Sequence, residues 1–452
     1  MVNFDKLAKS ELKNATVALQ KFVQINSVYD ESSRASGQPF GAGVKKALDY
    51  VAKLGEDYGF KVDKCDGYCT ELSIGEEGPL IGIYGHSDVV PVSGKWSHPE
   101  FGGEIKDGRM WGRGTCDDKG PLLASLYALK ALKDNGLIKG FRVKLVSGGD
   151  EERGSSCLAY YFNQHKGEEP ALGFTPDANW PLIYAEKGIR HYQAVRICDL
   201  SPIIAMDGGV AANAVCDKLV VTLKRDVNLE KFLADKKDLC DVTSAEGIDI
   251  VSFKGKSAHG STPELGDNAA LKAFDTLGKF YHIKFLESLS SLLADPFGKG
   301  FDGFNNSPEL GNTTYNFGIV KYDGKAFKMT VDFRYGETAK PDDLIHNFET
   351  KTGLVCNKMS EGDLLLFDKK SVLVSTLLKA YKKGTHKLFA KPLAIGGGTY
   401  AKEAKNTVAF GAEWEGHPGN MHAVDEYIYM DDFAKDIAIY ARAIYMLGKA
   451  AK

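Results

Sequence analysis

Leu80-Ile-Gly-Ile-Tyr84, closed by Gly85-His86-Ser87-Asp88, reads as a short buried strand that stops on a histidine. Its neighbours along the chain supply the helices that would cover such a strand. Residues 42–58 place Val44, Leu48, Val51 and Leu54 on one helical face. Residues 121–135 begin with proline, turn Leu122, Leu126, Leu129 and Leu132 inward, and stop at Gly136. Residues 142–147 are the next strand, followed at once by Gly148-Gly149-Asp150-Glu151-Glu152. Strands alternating with helices predict an α/β layer architecture with a central, mostly parallel sheet.

From about residue 189 the texture changes. Alternating segments such as 328–335 suggest antiparallel strands, interrupted by helical stretches near 267–281 and 341–351. Amphipathic helices return at 371–383 and 431–449, around a strand at 407–410. The economical account is a discontinuous α/β domain, residues 1–188 and 376–452, with an α+β domain inserted at 189–375.

A chain of 452 residues is too long for one ordinary core, which agrees with two domains. Hydrophobic content of 43% and charged content of 26% are those of a soluble globular protein. A formal charge of −3 leaves no basic footprint and argues against nucleic acid as a partner. No apolar run approaches the about 18–20 residues that span a bilayer. Residues 1–30 spread Leu7, Leu12, Leu19 and Phe22 among charges, an amphipathic helix and not a signal peptide. Eight scattered cysteines in such a chain read as reduced thiols of a cytoplasmic protein. Cys65 and Cys69 invite a zinc reading, but no second ligand pair lies near them in sequence.

The chemistry sits where strands and turns should end. His86, Asp117, the pair Glu151 and Glu152, Asp177 and His422 all occupy such places, and open α/β sheets collect ligands at the carboxyl ends of their strands. Each has a plain structural reading: a turn histidine, a helix cap, a solvated acidic turn. Jointly they form a nitrogen-and-carboxylate set able to hold two divalent metals with one carboxylate shared. Paired metals activate a water and stabilise the tetrahedral intermediate of amide hydrolysis. That chemistry needs one carboxylate to ligate and another, unligated, to move the proton, and adjacent glutamates supply both. Asp88 stands where it could hold the second nitrogen of His86.

Other chemistries fit less well. There is no Gly-x-Ser-x-Gly elbow, and Cys116 and Cys157 lack the local sequence of a cysteine nucleophile. Gly396-Gly397-Gly398-Thr399 has no lysine at the offset a phosphate cradle requires, and reads as a loop that admits substrate close to backbone. Arg334 lies on the polar side of an alternating strand, facing either solvent or a carboxylate ligand.

Gly85-His86-Ser87-Asp88-Val89-Val90-Pro91, Gly112-Arg113-Gly114 through Asp117-Asp118-Lys119-Gly120-Pro121, and Asp150-Glu151-Glu152 resemble the two-metal aminoacylase/carboxypeptidase/dipeptidase family. Gly173-Phe174-Thr175-Pro176-Asp177, Ala185-Glu186-Lys187-Gly188, Gly396 to Ala401, and Met421-His422 with Asp425-Glu426-Tyr427-Ile428 are similar to its PepV-type bacterial dipeptidases. The resemblance implies that Asp117 bridges the metals, His86 and Asp177 complete one site, and Glu152 and His422 the other. It implies Glu151 as general base and then acid, acting on water held between the metals, and Asp88 as the residue orienting His86. It makes 189–375 a lid whose His259, in Ser257-Ala258-His259-Gly260, meets the oxyanion. Asn213 and Arg334 would hold the tetrahedral centre and the substrate's carboxylate, with Gly397, Gly398 and Thr399 beside them. The expected protein is a monomeric dipeptidase using Zn²⁺, Mn²⁺ or Co²⁺ on short peptides with free ends. An N-acyl amino-acid deacylase and a non-catalytic peptide-binding protein are the alternatives.

Overall fold

The structure, a computed structural model, describes residues 2–451. The chain divides into two compact units: residues 1–184, 367–393 and 399–452, and residues 185–366 with 394–398. The divisions expected from the sequence, 188/189 and 375/376, stand four and nine residues further along the chain than these limits. Residues 394–398 also belong with the inserted unit, because Arg334 and Lys187 bond to carbonyls of this segment.

The first unit is built on a sheet of β1 (Lys61–Asp63), β2 (Cys69–Ile74), β3 (Leu80–His86), β4 (Arg142–Gly148), β5 (Leu172–Thr175), β6 (Ile183–Glu186) and β7 (Thr407–Ala409). Their spatial order is β1-β2-β4-β3-β5-β7-β6. The four central strands, β4, β3, β5 and β7, run parallel, while β1, β2 and β6 pair antiparallel. Every residue of β3 is buried, as expected of a parallel strand covered by helices.

Helices α1 (Phe4–Val23), α2 (Ala42–Asp57), α3 (Lys119–Asp134), α4 (Ser156–Asn163), α5 (Val372–Thr385) and α6 (Met430–Ala450) pack around it. α1, α3 and α6 pack on one another. Val44 and Leu48 of α2 meet Tyr84, Val146, Cys157 and Tyr400 in a separate cluster. α3 starts two residues before the expected Pro121, since Leu122 N–H already bonds to Asp118 C=O at 2.9 Å. Proline is tolerated there because the first turn's N–H groups have no intrahelical acceptor.

The second unit is an eight-stranded, wholly antiparallel sheet. Helices Ala269–Tyr281, Lys284–Leu292 and Pro341–Thr352 close its core through Phe274, Leu277, Leu289 and Phe348. No helix among the described residues is long and apolar enough to cross a membrane.

Candidate metal centre

The parallel arrangement of β3, β4 and β5 delivers three carboxyl-terminal ends to one place. β3 ends on His86, β4 runs into the turn bearing Glu151 and Glu152, and β5 is followed by Asp177. Asp117 enters from the loop ahead of α3, and His422 from a loop ahead of α6 with a left-handed backbone (φ 61°).

Asp117 is the centre of the group. Its Oδ1 lies 3.0 Å from His86 Nε2 and its Oδ2 lies 2.8 Å from His422 Nε2. Asp177 Oδ2 approaches His86 Nε2 at 3.7 Å, and Glu152 Oε2 approaches His422 Nε2 at 3.3 Å. Ligand-type atoms of His86, Asp117 and Glu152 lie within 4.8 Å of one another, as do those of His86, Glu151 and Asp177. All six residues converge, and each histidine has its own carboxylate besides the one between them.

The electrostatics are those of a pocket short of positive charge. Burial, then the charge of Asp117, pushes Asp177 up to about 7. Burial also pushes Glu151 well above the carboxylate range, with Asp177 and Glu152 adding to it against His86. Burial opposes ionisation of Asp117 too, but bonds from His422 and His86 hold its carboxyl below the usual range. Glu152 Oε1 is buried with no hydrogen-bond partner. Carboxylates crowded together in a buried place are either protonated or matched by cations. The donor set, two imidazoles and several carboxylates, fits divalent metal ions.

Surrounding residues fix this arrangement. His86 Nδ1 faces the main-chain carbonyl of Asp88 at 2.9 Å, while the Asp88 carboxylate is 3.5 Å away. The carboxylate instead accepts from the backbone N–H groups of Glu151 (3.1 Å) and Glu152 (3.2 Å). Asp88 thus orients His86 through its backbone and the acidic turn through its side chain. Asp118, which sequence would read as a helix cap, accepts the His86 backbone N–H through Oδ2 at 3.0 Å and makes no capping bond.

Glu426 shapes the Asp117 loop. Its Oε1 accepts N–H bonds from Gly114 (2.9 Å), Cys116 (3.0 Å) and Asp117 (3.3 Å), and its Oε2 receives Arg113 Nη1 at 2.6 Å. Buried Lys119 donates to Ile25 O (2.7 Å) and Phe22 O (3.2 Å), and burial drags its ammonium down to about 7. Glu426, Arg113, Asp118 and Lys119 stood in quoted motifs, yet nothing in the sequence says which charge each one meets. The buried Arg113–Glu426 pair makes a direct stability prediction. Arg113→Met strands a buried carboxylate, and unfolding free energy should fall by about 3–5 kcal/mol, read as a lowered urea midpoint with unchanged slope.

Asn213, His259 and Arg334 all lie in the second unit, where the backbone ties the segments of the first two together. Gly260 N–H bonds to Asn213 C=O at 2.7 Å, and His259 Nδ1 pairs with Ser261 Oγ at 2.7 Å. Arg334 is buried and does not face solvent. Asp332, two residues back on the same face, engages its Nε (3.1 Å) and Nη2 (2.8 Å), and Gly396 C=O accepts Nη1 at 2.7 Å. Two of its five N–H groups remain outside these bonds. Gly397 and Gly398 follow in the same unit, whereas Thr399 belongs to the first, where its Oγ1 accepts the Ala401 N–H at 3.1 Å.

A family model described as Peptidase family M20/M25/M40 matches residues 82–446. The chain is similar to "Putative dipeptidase YtjP" of Bacillus subtilis (strain 168), 34% identical over 453 residues that span 95% of this chain and 96% of that one. It is 32% identical over 461 residues to a "Putative dipeptidase" of Staphylococcus epidermidis (strain ATCC 12228 / FDA PCI 1200), again covering 95% and 96%. Among solved structures, its fold is similar to the M20 family metallo-carboxypeptidase Sso-CP2 from Sulfolobus solfataricus, with a TM-score of 0.60, 18% identity and 96% and 99% coverage. The di-peptidase Dug1p from Saccharomyces cerevisiae also gives a TM-score of 0.60, at 15% identity and 99% and 98% coverage.

Proposed function

The chain belongs to Peptidase family M20/M25/M40 and is a peptide-bond hydrolase, and from this we propose that it is a metal-dependent dipeptidase acting on short peptides with free amino and carboxyl ends. The observation that carries the reading is the Asp117 carboxylate, with one oxygen toward His86 and the other toward His422. Two divalent cations, when bound, polarise the scissile carbonyl and lower the pKa of a water. Asp117 would be their shared ligand, with His86 and Asp177 on one side and Glu152 and His422 on the other. Zn²⁺, Mn²⁺ and Co²⁺ all suit this set.

Glu151 takes the proton from the attacking water and returns it to the leaving amine. Its partners support that duty: Asp88 pins the backbone of the turn, and burial raises the carboxyl toward neutrality. We assign the oxyanion to His259, the tetrahedral centre to Asn213, and the substrate's carboxylate to the two remaining N–H groups of Arg334, with Gly397, Gly398 and Thr399 beside it. The inserted unit would act as a lid on a monomeric enzyme. Eight free thiols suit a reducing, cytoplasmic setting.

The test is hydrolysis of a dipeptide panel by metal-stripped protein with Mn²⁺, Zn²⁺ or Co²⁺ restored. Each dipeptide is paired with its N-acetylated form and a tripeptide. Metal-restored cleavage of free dipeptides alone is the expected result. Cleavage of the acetylated forms alone would make the protein a deacylase. Tight metal binding without hydrolysis would make it a peptide-binding protein.

A further inference from the structure

Asp63, Cys65 and His165 form a second group of ligand-type side chains in the first unit, with one ligand atom of each within 4.8 Å of the other two. Asp63 closes β1, and the turn after it is sharp: Cys65, Asp66 and Gly67 all have positive φ, at 41°, 53° and 84°. L-residues adopt that conformation rarely. The turn sets a thiol and two carboxylates around His165, which lies just beyond α4. His165 Nε2 is 3.1 Å from Asp63 Oδ2, and His165 Nδ1 is 3.8 Å from Asp66 Oδ2. Asp66 Oδ2 also accepts the Tyr160 hydroxyl at 2.7 Å.

We propose that Asp63, Cys65 and His165 hold a zinc ion through a carboxylate oxygen, the thiolate and Nε2, with water in the fourth position. Bonds of about 2.0–2.3 Å to these three ligand types are ordinary for zinc, and the three ligand atoms already lie within 4.8 Å of one another. Asp66, 3.8 Å from the other ring nitrogen, would have to draw in to hold it as metal-bound histidines usually require, and Tyr160 steadies Asp66. A thiolate and an imidazole in one set select zinc over magnesium or calcium. Cys65 is buried, which pushes its thiol up and keeps it protonated until a cation arrives. Binding therefore releases that proton to solvent.

Cys69 is not part of the set, since its Sγ points to the Cys157 carbonyl at 3.4 Å. One partner of Cys65 is two residues upstream and the other, His165, about a hundred residues downstream, so no local cysteine spacing announces the set. The ion would tie the far end of α4 to the β1–β2 turn, and α4 begins directly after the acidic turn of Glu151 and Glu152. A ligand that binds only the folded form stabilises it.

The test uses the full chain, stripped of metal and titrated with Co²⁺. The ligands proposed at the Asp117 centre include no thiolate, so thiolate-to-cobalt charge-transfer absorption reports this site alone. We expect that absorption in the wild type, one metal ion more per chain than in Cys65→Ser, and competition by Zn²⁺. It should vanish in Cys65→Ser and in His165→Ala and survive in Cys116→Ser, with dipeptide hydrolysis unchanged in the first two. Absence of the absorption in the folded wild type, its persistence in Cys65→Ser, or its loss in Cys116→Ser would overturn the proposal. Should Cys65→Ser fail to fold, His165→Ala and Asp63→Asn carry the same reading, because both side chains are partly exposed.

Discussion

Glu151→Gln should lower kcat by about 10²–10⁴-fold, the usual worth of a positioned general base, while leaving the metal content intact. The change is nearly isosteric and removes only the proton acceptor. The bonds that hold the turn run from the backbone N–H groups of residues 151 and 152 to Asp88, so they survive the substitution. The other ligand candidates, His86, Asp117, Glu152, Asp177 and His422, keep their mutual distances. KM should therefore change little, since a loss confined to the transition state appears in kcat. Glu151 also lies within 4.8 Å of ligand atoms of His86 and Asp177, and metal analysis of the same variant separates two duties. Lost turnover with full metal content marks a base. Lost turnover with a missing metal marks a ligand. Turnover near the wild-type rate would remove Glu151 from the mechanism.

The strand ends were legible because burial and punctuation coincide. β3 is an uninterrupted apolar run that stops at Gly85-His86, and β4 runs straight into Gly149 and the acids. Placing their carboxyl ends together needs only the parallel order that strand–helix alternation dictates. What did not show was the choice among equivalent charges. Asp117 and Asp118 are adjacent acids before a helix, and either could be a ligand from sequence alone. The structure separates them by direction: Asp117 meets two imidazoles, and Asp118 turns to the His86 backbone. Asp88 hid in the same way, because its carbonyl and its carboxylate serve different partners. For Arg334 the strand pattern left solvent and a carboxylate ligand open, and its observed counter-charge, Asp332, sits two residues away on the same strand face. Only the chain path reveals that Lys119 meets the carbonyl oxygens of Phe22, in α1, and of Ile25, just past it. Residues 394–398 join the inserted unit from far along the chain, a return that no local pattern announces.

Asp117→Asn should be the most damaging change at the centre, and its effect should fall on metal binding first. The amide keeps one oxygen but presents an N–H₂ group where the second oxygen stood, so it cannot accept from both sides. One histidine of the pair, His86 or His422, then loses its 2.8–3.0 Å partner. Losing an outer partner of a ligand already costs about 10–100-fold in metal affinity or activity, so losing the shared ligand should exceed that. The charge argument agrees. Asp117 is the carboxylate that its surroundings hold ionised, while burial and repulsion push Glu151, Glu152 and Asp177 toward their neutral forms. Its removal withdraws the negative charge most available to a cation. The expected result is fewer than two tightly held ions at this centre, and loss of activity that added Mn²⁺ or Zn²⁺ restores only in part. Asp118→Asn is the control, since an amide oxygen can still accept the His86 N–H and the ligand set is unchanged. Equal metal loss in both variants would show that the loop, and not the shared carboxylate, governs binding. Full metal content in Asp117→Asn would remove Asp117 from the ligand set.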